Sequence, residues 1–257
     1  MRPVLAGLPI SGIKAYWWRK IKNFGDGLAP LLLDHFCDVE LSWAPIGDAS
    51  ITSIGSVLEH IPPRWNGYVC GSGRLKENSD VNLSNATLIA LRGPLSARGI
   101  KGNFALGDPG LLADELVGPQ DKYWHLGIVP HWKDRELWPR FSRMFQSRSE
   151  VSVKLIDPRK PPLDVITEIG ACRRIVTSSL HGMIVADAFG IPRRVEIASA
   201  LLNETEGGDF KFRDYSASIN TKFEPGKMTE PSRWAIEDAK YSIFDAFKFL
   251  EKELHNL

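Results

Sequence analysis

The chain has 257 residues, of which 43% are hydrophobic and 25% are charged, and its formal net charge is +1. This composition is typical of a globular protein with a buried core, and it excludes an intrinsically disordered chain. Because Lys, Arg, Asp and Glu are interspersed and nearly balanced, neither nucleic acid nor an anionic membrane surface is indicated as the main partner.

In chain order, short runs of apolar and β-branched residues predict strands, and segments with helical spacing lie between them. The predicted strands are 49–55, 67–71, 86–91, 125–130, 151–156, 173–178 and 193–197. The predicted helices are 25–37, 94–99, 135–146, 162–172, 180–189 and a long amphipathic helix at 231–254. This alternation predicts an α/β fold with parallel sheets covered by helices on both faces.

A polar stretch at 114–123, which contains Gly118 and Pro119, separates two sets of these βα units. We therefore expect an N-terminal α/β lobe over 1–115, a C-terminal α/β lobe over 116–257 and a cleft between them. The final helix at 231–254 is expected to pack back on the N-terminal lobe.

The three cysteines, Cys37, Cys70 and Cys172, lie far apart and outside any CxxC spacing. This pattern supports neither a disulfide framework nor a zinc site, and it fits a reducing cytoplasm. The apolar run near the N-terminus is too short and too interrupted for a signal sequence, and no run approaches the ~18 residues of a membrane span. We expect a cytoplasmic protein without a membrane span.

The segment 173–197 holds the strongest candidate for a functional residue. A buried-strand pattern is followed by Ser178 and Ser179, either of which is a good N-cap, and then by an apolar helical face that begins at Leu180. His181 is therefore predicted in the first turn of a helix, at the carboxyl end of a parallel strand, where anions bind. A cation there opposes the helix dipole, so the imidazole should be mostly neutral until an anion arrives. A hydrogen-bonded structural role remains the alternative.

A second candidate is the segment 21–36, in which Gly25 and Gly27 flank Asp26 just before a predicted helix. Such a turn can hold a phosphate through its backbone amides, and Asp26 could then act as a base or accept hydrogen bonds from hydroxyls. The alternative is that Asp26 is an ordinary N-cap.

Three further turns follow successive strands at 70–75, 91–99 and 106–112. Arg92 is predicted to reach the cleft from a strand end, where its planar guanidinium suits a carboxylate or phosphate. Asp108 precedes Pro109 and is therefore predicted in an extended or turn conformation. The fingerprints GxGxxG, GxxxxGK[ST], GxSxG and HExxH are missing, so dinucleotide, P-loop, serine hydrolase and metal-site readings are not supported.

Together these segments resemble the polysaccharide pyruvyl transferase family. The resemblance extends over about residues 16–200 and depends on "NFGDGLAP", "GSG", "LRGPLSARG", "ALGDPGLL", "VPHW" and, most specifically, "SSLHGMIVADAFGIPRR". It implies two Rossmann-like lobes similar to the glycosyltransferase B architecture. It also implies transfer of the pyruvyl group of phosphoenolpyruvate to hydroxyls of a glycan or lipid-linked sugar, with formation of a pyruvate ketal in exopolysaccharide or cell-surface polysaccharide biosynthesis.

In this interpretation His181 is the general acid or the proton-bearing contact to the phosphate, and Asp26 and Asp108 are candidate bases. The predicted donor-binding residues are Arg92, Ser178, Ser179, Leu180, Gly182, Gly25 and Arg74. Further candidates are His131, Asn23 and Ser72. Phosphoenolpyruvate is the donor substrate, and no cofactor or metal is expected. The expected partners are this donor and a sugar or glycan acceptor, with peripheral contact to a lipid-linked glycan left open.

One departure from the family pattern concerns Ser179, because relatives often have Arg just before the Leu-His-Gly sequence. Arg92, Arg74 or His131 could compensate for a missing donor-binding cation. Two alternatives therefore stay open at this point: a nucleotide-sugar glycosyltransferase of similar shape, and a catalytically inactive carbohydrate-binding relative.

Overall fold

The computed structural model describes residues 10–137, 151–196 and 207–256. The described helices are α1 (Phe24–Cys37), α2 (Pro162–Gly170), α3 (Leu180–Ala188), α4 (Phe210–Ser218) and α5 (Arg233–Leu254). The described strands are β1 (Ile10–Tyr16), β2 (Val39–Trp43), β3 (Ile51–Thr52), β4 (Tyr68–Ser72), β5 (Thr87–Leu91), β6 (Ala105–Leu106), β7 (Leu126–Val129), β8 (Val153–Leu155), β9 (Ile175–Thr177), β10 (Arg193–Val195) and β11 (Met228–Thr229). Short 3-10 helices include Pro109–Leu116 and Trp132–Leu137.

The strands form two sheets, and almost every strand pair in them is parallel. The first sheet has the order β2-β1-β3-β4-β5-β6, with parallel pairing throughout. The second has the order β11-β10-β9-β7-β8, and only the edge pair of β10 and β11 is antiparallel. The predicted α/β class with parallel sheets is therefore confirmed.

Each predicted strand overlaps an observed one, but the prediction missed β1, β2, β6 and β11. The predicted helix at 94–99 is wrong, because this segment forms turns. The backbone N–H groups of Leu95 and Ser96 donate to Oδ1 of Asp214 in α4, each at 2.9 Å, so a distant carboxylate organises the segment. Of the predicted helix at 135–146, residues 138–146 lie outside the described residues.

The hydrophobic core is continuous between the two sheets. One cluster of buried side chains includes Ile13 and Val39 of the first sheet together with Val129 and Ile175 of the second. The long helix α5 packs on α1 and on strands β4, β5 and β6. None of the helices in the three described ranges combines the length and the apolar character that a membrane crossing requires.

Phe247 in α5 anchors this packing, since it is fully buried and its ring stacks on Phe36 of α1 with centroids 5.3 Å apart. We expect Phe247→Ala to lower the free energy of unfolding by about 3–5 kcal/mol, because the cavity it leaves cannot fill. Phe249, which is 52% exposed on the same helix, is the matched control, and Phe249→Ala should cost less than about 1 kcal/mol. Urea unfolding measures both, and equal losses would contradict the packing described here.

Candidate active site

The N-terminus of α3 is built as the sequence predicts. Strand β9 ends at Thr177, and Ser179 has extended backbone angles and accepts a hydrogen bond from the N–H of Gly182 through Oγ, at 3.4 Å. Thr177 fixes the turn from the other side: its Oγ1 accepts from the N–H of Ser179 at 2.9 Å and donates to the carbonyl of Val129 at 2.6 Å. His181 is therefore held in the first turn of α3.

The N-terminus of α1 lies against this turn. Asn23, and not Asp26, is the N-cap: its Oδ1 accepts from the N–H of Gly25 at 3.4 Å, and its Nδ2 donates to Oδ2 of Asp26 at 2.9 Å. The backbone of Gly25 packs on the imidazole so closely that a Cβ atom there would lie 2.1 Å from Nδ1 of His181. Only glycine fits at this position without displacing the ring.

A cavity of about 410 Å³ opens beside the two helix starts. The residues predicted from the sequence that line it are Asn23, Asp26, His131, Ser179, Leu180 and His181. Lining residues that the sequence analysis missed include Trp18, His60, Trp132, Lys133 and Lys211. The structure therefore brings together an imidazole, a carboxyl group, helix N-termini and lysine side chains in one pocket.

Burial and neighbouring positive charge keep the imidazole of His181 neutral. The side chain is buried, and Phe24 presents its ring edge-on with centroids 6.5 Å apart. Loss of hydration, together with the positive charges of Lys211 and Arg92, lowers the pKa of His181 to about 3. At neutral pH the ring therefore has one proton and can gain a second only when negative charge enters the pocket.

Asp108 lies behind His181 and does not line the pocket. Its Oδ1 accepts from the N–H of Gly110 at 2.9 Å, and its Oδ2 is 3.8 Å from Nε2 of His181. Both of these facing atoms are buried, and neither has a hydrogen-bond partner among the described residues. Burial raises the pKa of Asp108 to about 7, although the Gly110 N–H and the positive charge of Arg92 oppose the rise. The two groups thus form a buried pair whose separation of 3.8 Å is longer than a hydrogen bond.

Asp26 is the carboxyl group that reaches the pocket. Burial raises its pKa to about 6, while the hydrogen bond from Asn23 and the positive charge of Lys211 act in the opposite direction. A carboxyl group with a pKa near neutrality can both accept and release a proton under ordinary conditions.

His131 enters the pocket from the second sheet, after β7. Its Nδ1 accepts from the N–H of Lys133 at 3.3 Å, so its Nε2 holds the proton. Burial lowers the pKa of His131 to about 3, with Lys211 and Lys133 adding to the effect. Ser178 lies outside the pocket, because its Oγ accepts from the His131 N–H at 2.8 Å and donates to Asp134 at 2.5 Å.

Arg92 does not line the pocket as expected, because its guanidinium is fully buried behind the pocket wall. Its Nε donates to Oδ2 of Asp214 at 2.9 Å, Nη1 to Oγ of Ser56 at 2.7 Å, and Nη2 to the carbonyl of Arg74 at 2.7 Å. The reason is electrostatic: a fully buried arginine is stable only when paired, and Asp214 supplies the partner. Its contact with the donor stays a prediction that this geometry does not favour.

The predicted donor-binding residues Arg74 and Gly182 and the further candidate Ser72 do not line the pocket either. The guanidinium of Arg74 donates to the backbone carbonyls of Ser96, Ser79 and Arg98. The hydroxyl of Ser72 donates to the backbone carbonyl of Ser53, the residue after β3. Gly182 lies against the strand side of α3, where a Cβ atom would be 2.3 Å from Oγ1 of Thr177.

In α/β folds with parallel sheets, a polar pocket at the carboxyl ends of the strands and beside helix starts is a common place for a ligand to bind. The sequence matches one family model, described as polysaccharide pyruvyl transferase, over residues 71–195. The chain is therefore similar to this family over that range, in agreement with the resemblance drawn from the sequence, and the similarity indicates a transferase.

Two relatives extend this similarity. Succinoglycan biosynthesis protein ExoV of Rhizobium meliloti (strain 1021) is 29% identical over 230 residues, which cover 85% of this chain and 68% of that protein. Uncharacterized protein L143 of Acanthamoeba polyphaga mimivirus is 31% identical over 94 residues, which cover 35% of this chain and 32% of that protein. These similarities support a pyruvyl transferase role in polysaccharide biosynthesis.

Asp108→Asn tests the buried pair through the pH dependence of stability. Folded Asp108 keeps its proton up to about pH 7, whereas the unfolded chain releases it near 4. The folded state therefore binds more protons between these values, and stability falls as the pH rises through that window. The variant lacks this loss, so its free energy of unfolding relative to the wild type should rise across the window by up to about 4 kcal/mol.

Urea unfolding of both proteins between about pH 4 and about pH 8 measures this difference. Asp238→Asn, at an exposed position on α5, controls for removal of a carboxyl group elsewhere. A difference between Asp108→Asn and the wild type that stays constant with pH would show that Asp108 is ionised in the folded protein.

Gly25→Ala tests the contact between the two helix starts. The added methyl group must displace the His181 ring or separate α1 from α3, so we expect a loss of about 1–3 kcal/mol in unfolding free energy. Gly47→Ala is the control, because the atom nearest to its Cβ would be 3.9 Å away. Chemical unfolding compares the two variants, and an unchanged stability for Gly25→Ala would refute the close contact.

Proposed function

We propose that the protein transfers the pyruvyl group of phosphoenolpyruvate to hydroxyls of a glycan or lipid-linked sugar and forms a pyruvate ketal. The observation that supports this most directly is the neutral, buried imidazole of His181 at the start of α3, in a pocket that also contains Asp26. The similarity to polysaccharide pyruvyl transferases indicates the reaction class. The pocket contains an acid and a base of the kind that such a reaction needs.

The donor is an anion, and the first turn of α3 suits its phosphate or carboxylate. The first N–H groups of a helix have no partner within the helix, and the dipole there favours negative charge. Leu180 and His181 occupy these positions and line the pocket. A bound anion beside His181 raises the pKa of the imidazole, so the residue gains its second proton as the donor binds.

In the proposed reaction, protonated His181 gives a proton from Nδ1, the nitrogen that does not face Asp108, to the methylene carbon of phosphoenolpyruvate. The neighbouring carbon becomes oxocarbenium-like, and a first sugar hydroxyl attacks it and loses its proton to a base. Phosphate then leaves with the bonding electron pair, and a second hydroxyl attacks the same carbon to close the ketal. The protons of the two hydroxyls balance the proton added to the methyl group and the proton taken by phosphate.

The geometry suggests different roles for the two aspartates. Asp26 lines the pocket, so it is the one positioned to accept a proton from the attacking hydroxyl. Asp108 is buried behind the ring and faces Nε2, so it acts through His181 by sharing and returning its proton. The 3.8 Å separation would shorten once the imidazole becomes charged, because an imidazolium and a carboxylate attract.

We also propose that the two sheets form the lobes of a glycosyltransferase B-like architecture, with the N-terminal lobe ending near residue 115 and the pocket at their junction. Residues that line the pocket follow β3 of the first sheet and β7 and β9 of the second. A glycan could then approach from the side of the pocket that holds Trp18 and Trp132.

Acceptor-dependent release of phosphate from phosphoenolpyruvate tests this function. We expect His181→Gln to lower the rate by about 100-fold or more while the thermal unfolding temperature stays near that of the wild type, because general acid catalysis is lost. His125→Gln, at an exposed position, is the control. A His181→Gln rate within threefold of the wild type, about 0.7 kcal/mol, would remove the acid role.

The same assay separates the other two candidate functions. A nucleotide-sugar glycosyltransferase would be stabilised by nucleotide sugars and not by phosphoenolpyruvate, and a ligand at about 100 times its dissociation constant adds ~2.7 kcal/mol. An inactive carbohydrate-binding protein would release no phosphate with any glycan acceptor. Either result would replace the proposed function.

A further inference from the structure

Lys211 reaches the pocket from α4, a helix that the sequence analysis did not predict. Its side chain lines the cavity together with Ser179, His181 and Asp26. Its positive charge contributes to lowering the pKa of His181 and of His131, and it acts against the rise in the pKa of Asp26. The Lys211 side chain therefore shares the cavity with His181 and Asp26, the two pocket residues that the proposed reaction uses.

The helix that holds Lys211 is anchored one turn later by Asp214. Oδ1 of this aspartate accepts from the N–H groups of Leu95 and Ser96, each at 2.9 Å. Its Oδ2 accepts from Nε of Arg92 at 2.9 Å and from Oγ of Ser96 at 2.5 Å. Because the Asp214 and Arg92 side chains are fully buried, water does not compete for their hydrogen bonds. Removal of either partner would leave a buried charge unpaired.

A second anchor joins α4 to the helix of His181. The hydroxyl of Tyr215 donates to Oδ2 of Asp187, in α3, at 2.9 Å, and Arg193 donates to both oxygens of the same carboxylate. Residues three and four apart share one face of a helix, so Lys211, Asp214 and Tyr215 lie on the same side of α4. The two anchors therefore fix the direction in which Lys211 leaves the helix.

A dianionic or trianionic donor requires positive charge in the pocket, and the arginines expected to supply it are occupied. Ser179 is uncharged, and its hydroxyl caps α3. Arg92 donates to Asp214, to the carbonyl of Arg74 and to Ser56 of the pocket wall, and Arg74 donates to backbone carbonyls. Lys133 lies at the exposed rim beside the ring of Trp132, with Nζ 5.1 Å from the ring centroid.

We propose that Lys211 is the cation that binds the phosphate or carboxylate of the donor in this chain, and that Asp214 and Tyr215 are positioning residues for it. This inference rests on the proposed function. Arg92 was expected to bind the donor. In this proposal it forms the buried ion pair with Asp214 and does not contact the donor. The donor site is then completed by α4, which is tied both to the loop after β5 and to α3.

Calorimetric binding of phosphoenolpyruvate to the whole protein tests the role of Lys211. We expect Lys211→Met to weaken binding by about 10- to 100-fold, which is the usual size of a hydrogen bond to a charged group. Lys211→Arg should bind within about fivefold of the wild type, since it keeps the charge. Lys222→Met, at an exposed position, is the matched control and should bind as the wild type does.

The results separate this inference from the proposed function. If the wild type binds phosphoenolpyruvate and Lys211→Met binds it equally well, Lys211 is not the donor's cation and the inference is overturned alone. If the wild type itself does not bind phosphoenolpyruvate, the proposed function fails and the inference fails with it.

Double variants test the positioning role. Tyr215→Phe removes only the hydroxyl that bonds Asp187, and Asp214→Asn keeps the size of the side chain. We expect each to weaken donor binding in the wild type and to have no further effect in the Lys211→Met background, because the residues act through Lys211. Equal losses in both backgrounds would mean that these residues stabilise the fold in general and do not position Lys211. Should Asp214→Asn fail to fold, the Tyr215→Phe pair decides the point.

Discussion

The contact between the backbone of Gly25 and the imidazole of His181 is the constraint on which the rest of the site depends. Helices α1 and α3 begin at this point, and no side chain larger than hydrogen separates them. The ring is consequently held with Nδ1 toward α1 and Nε2 toward Asp108, which leaves one edge beside the pocket. Asn23 and Ser179 cap the two helices and thereby keep both first turns in place.

Removal of water then sets the protonation of the site. Burial disfavours the charged form of each group, so the pKa of His181 falls while the pKa of Asp108 rises; near pH 7 the imidazole is uncharged and Asp108 is about half protonated. A negative charge that enters the pocket stabilises the imidazolium form and therefore raises the pKa of His181. A surface histidine and a surface aspartate with the same separation would be ionised differently and would be screened by solvent.

The site is also composite, because residues from distant parts of the chain contribute to it. Asp26 comes from α1, His181 from α3 and Lys211 from α4. The buried ion pair of Arg92 and Asp214 joins the loop after β5 to α4, and Tyr215 joins α4 to α3. Arg92 does not line the pocket, but its ion pair with Asp214 fixes α4 and thereby the position of Lys211. Substitutions at Arg92 would therefore affect both the fold and the site, and a loss of activity there would not by itself indicate contact with the donor.

The sequence by itself determined the alternation of strands and helices, the capped start of α3 and the place of His181 in its first turn. These features are local, since they depend on hydrophobic period and on cap residues within a few positions. Only the tertiary structure decided that Arg92 is buried against Asp214 and that Lys211 lines the pocket. The turns at 94–99 were mispredicted for the same reason, because the N–H groups of Leu95 and Ser96 donate to Asp214, more than a hundred positions away. Pairings between residues more than a hundred positions apart depend on how the whole chain packs, and no local pattern in the sequence records them.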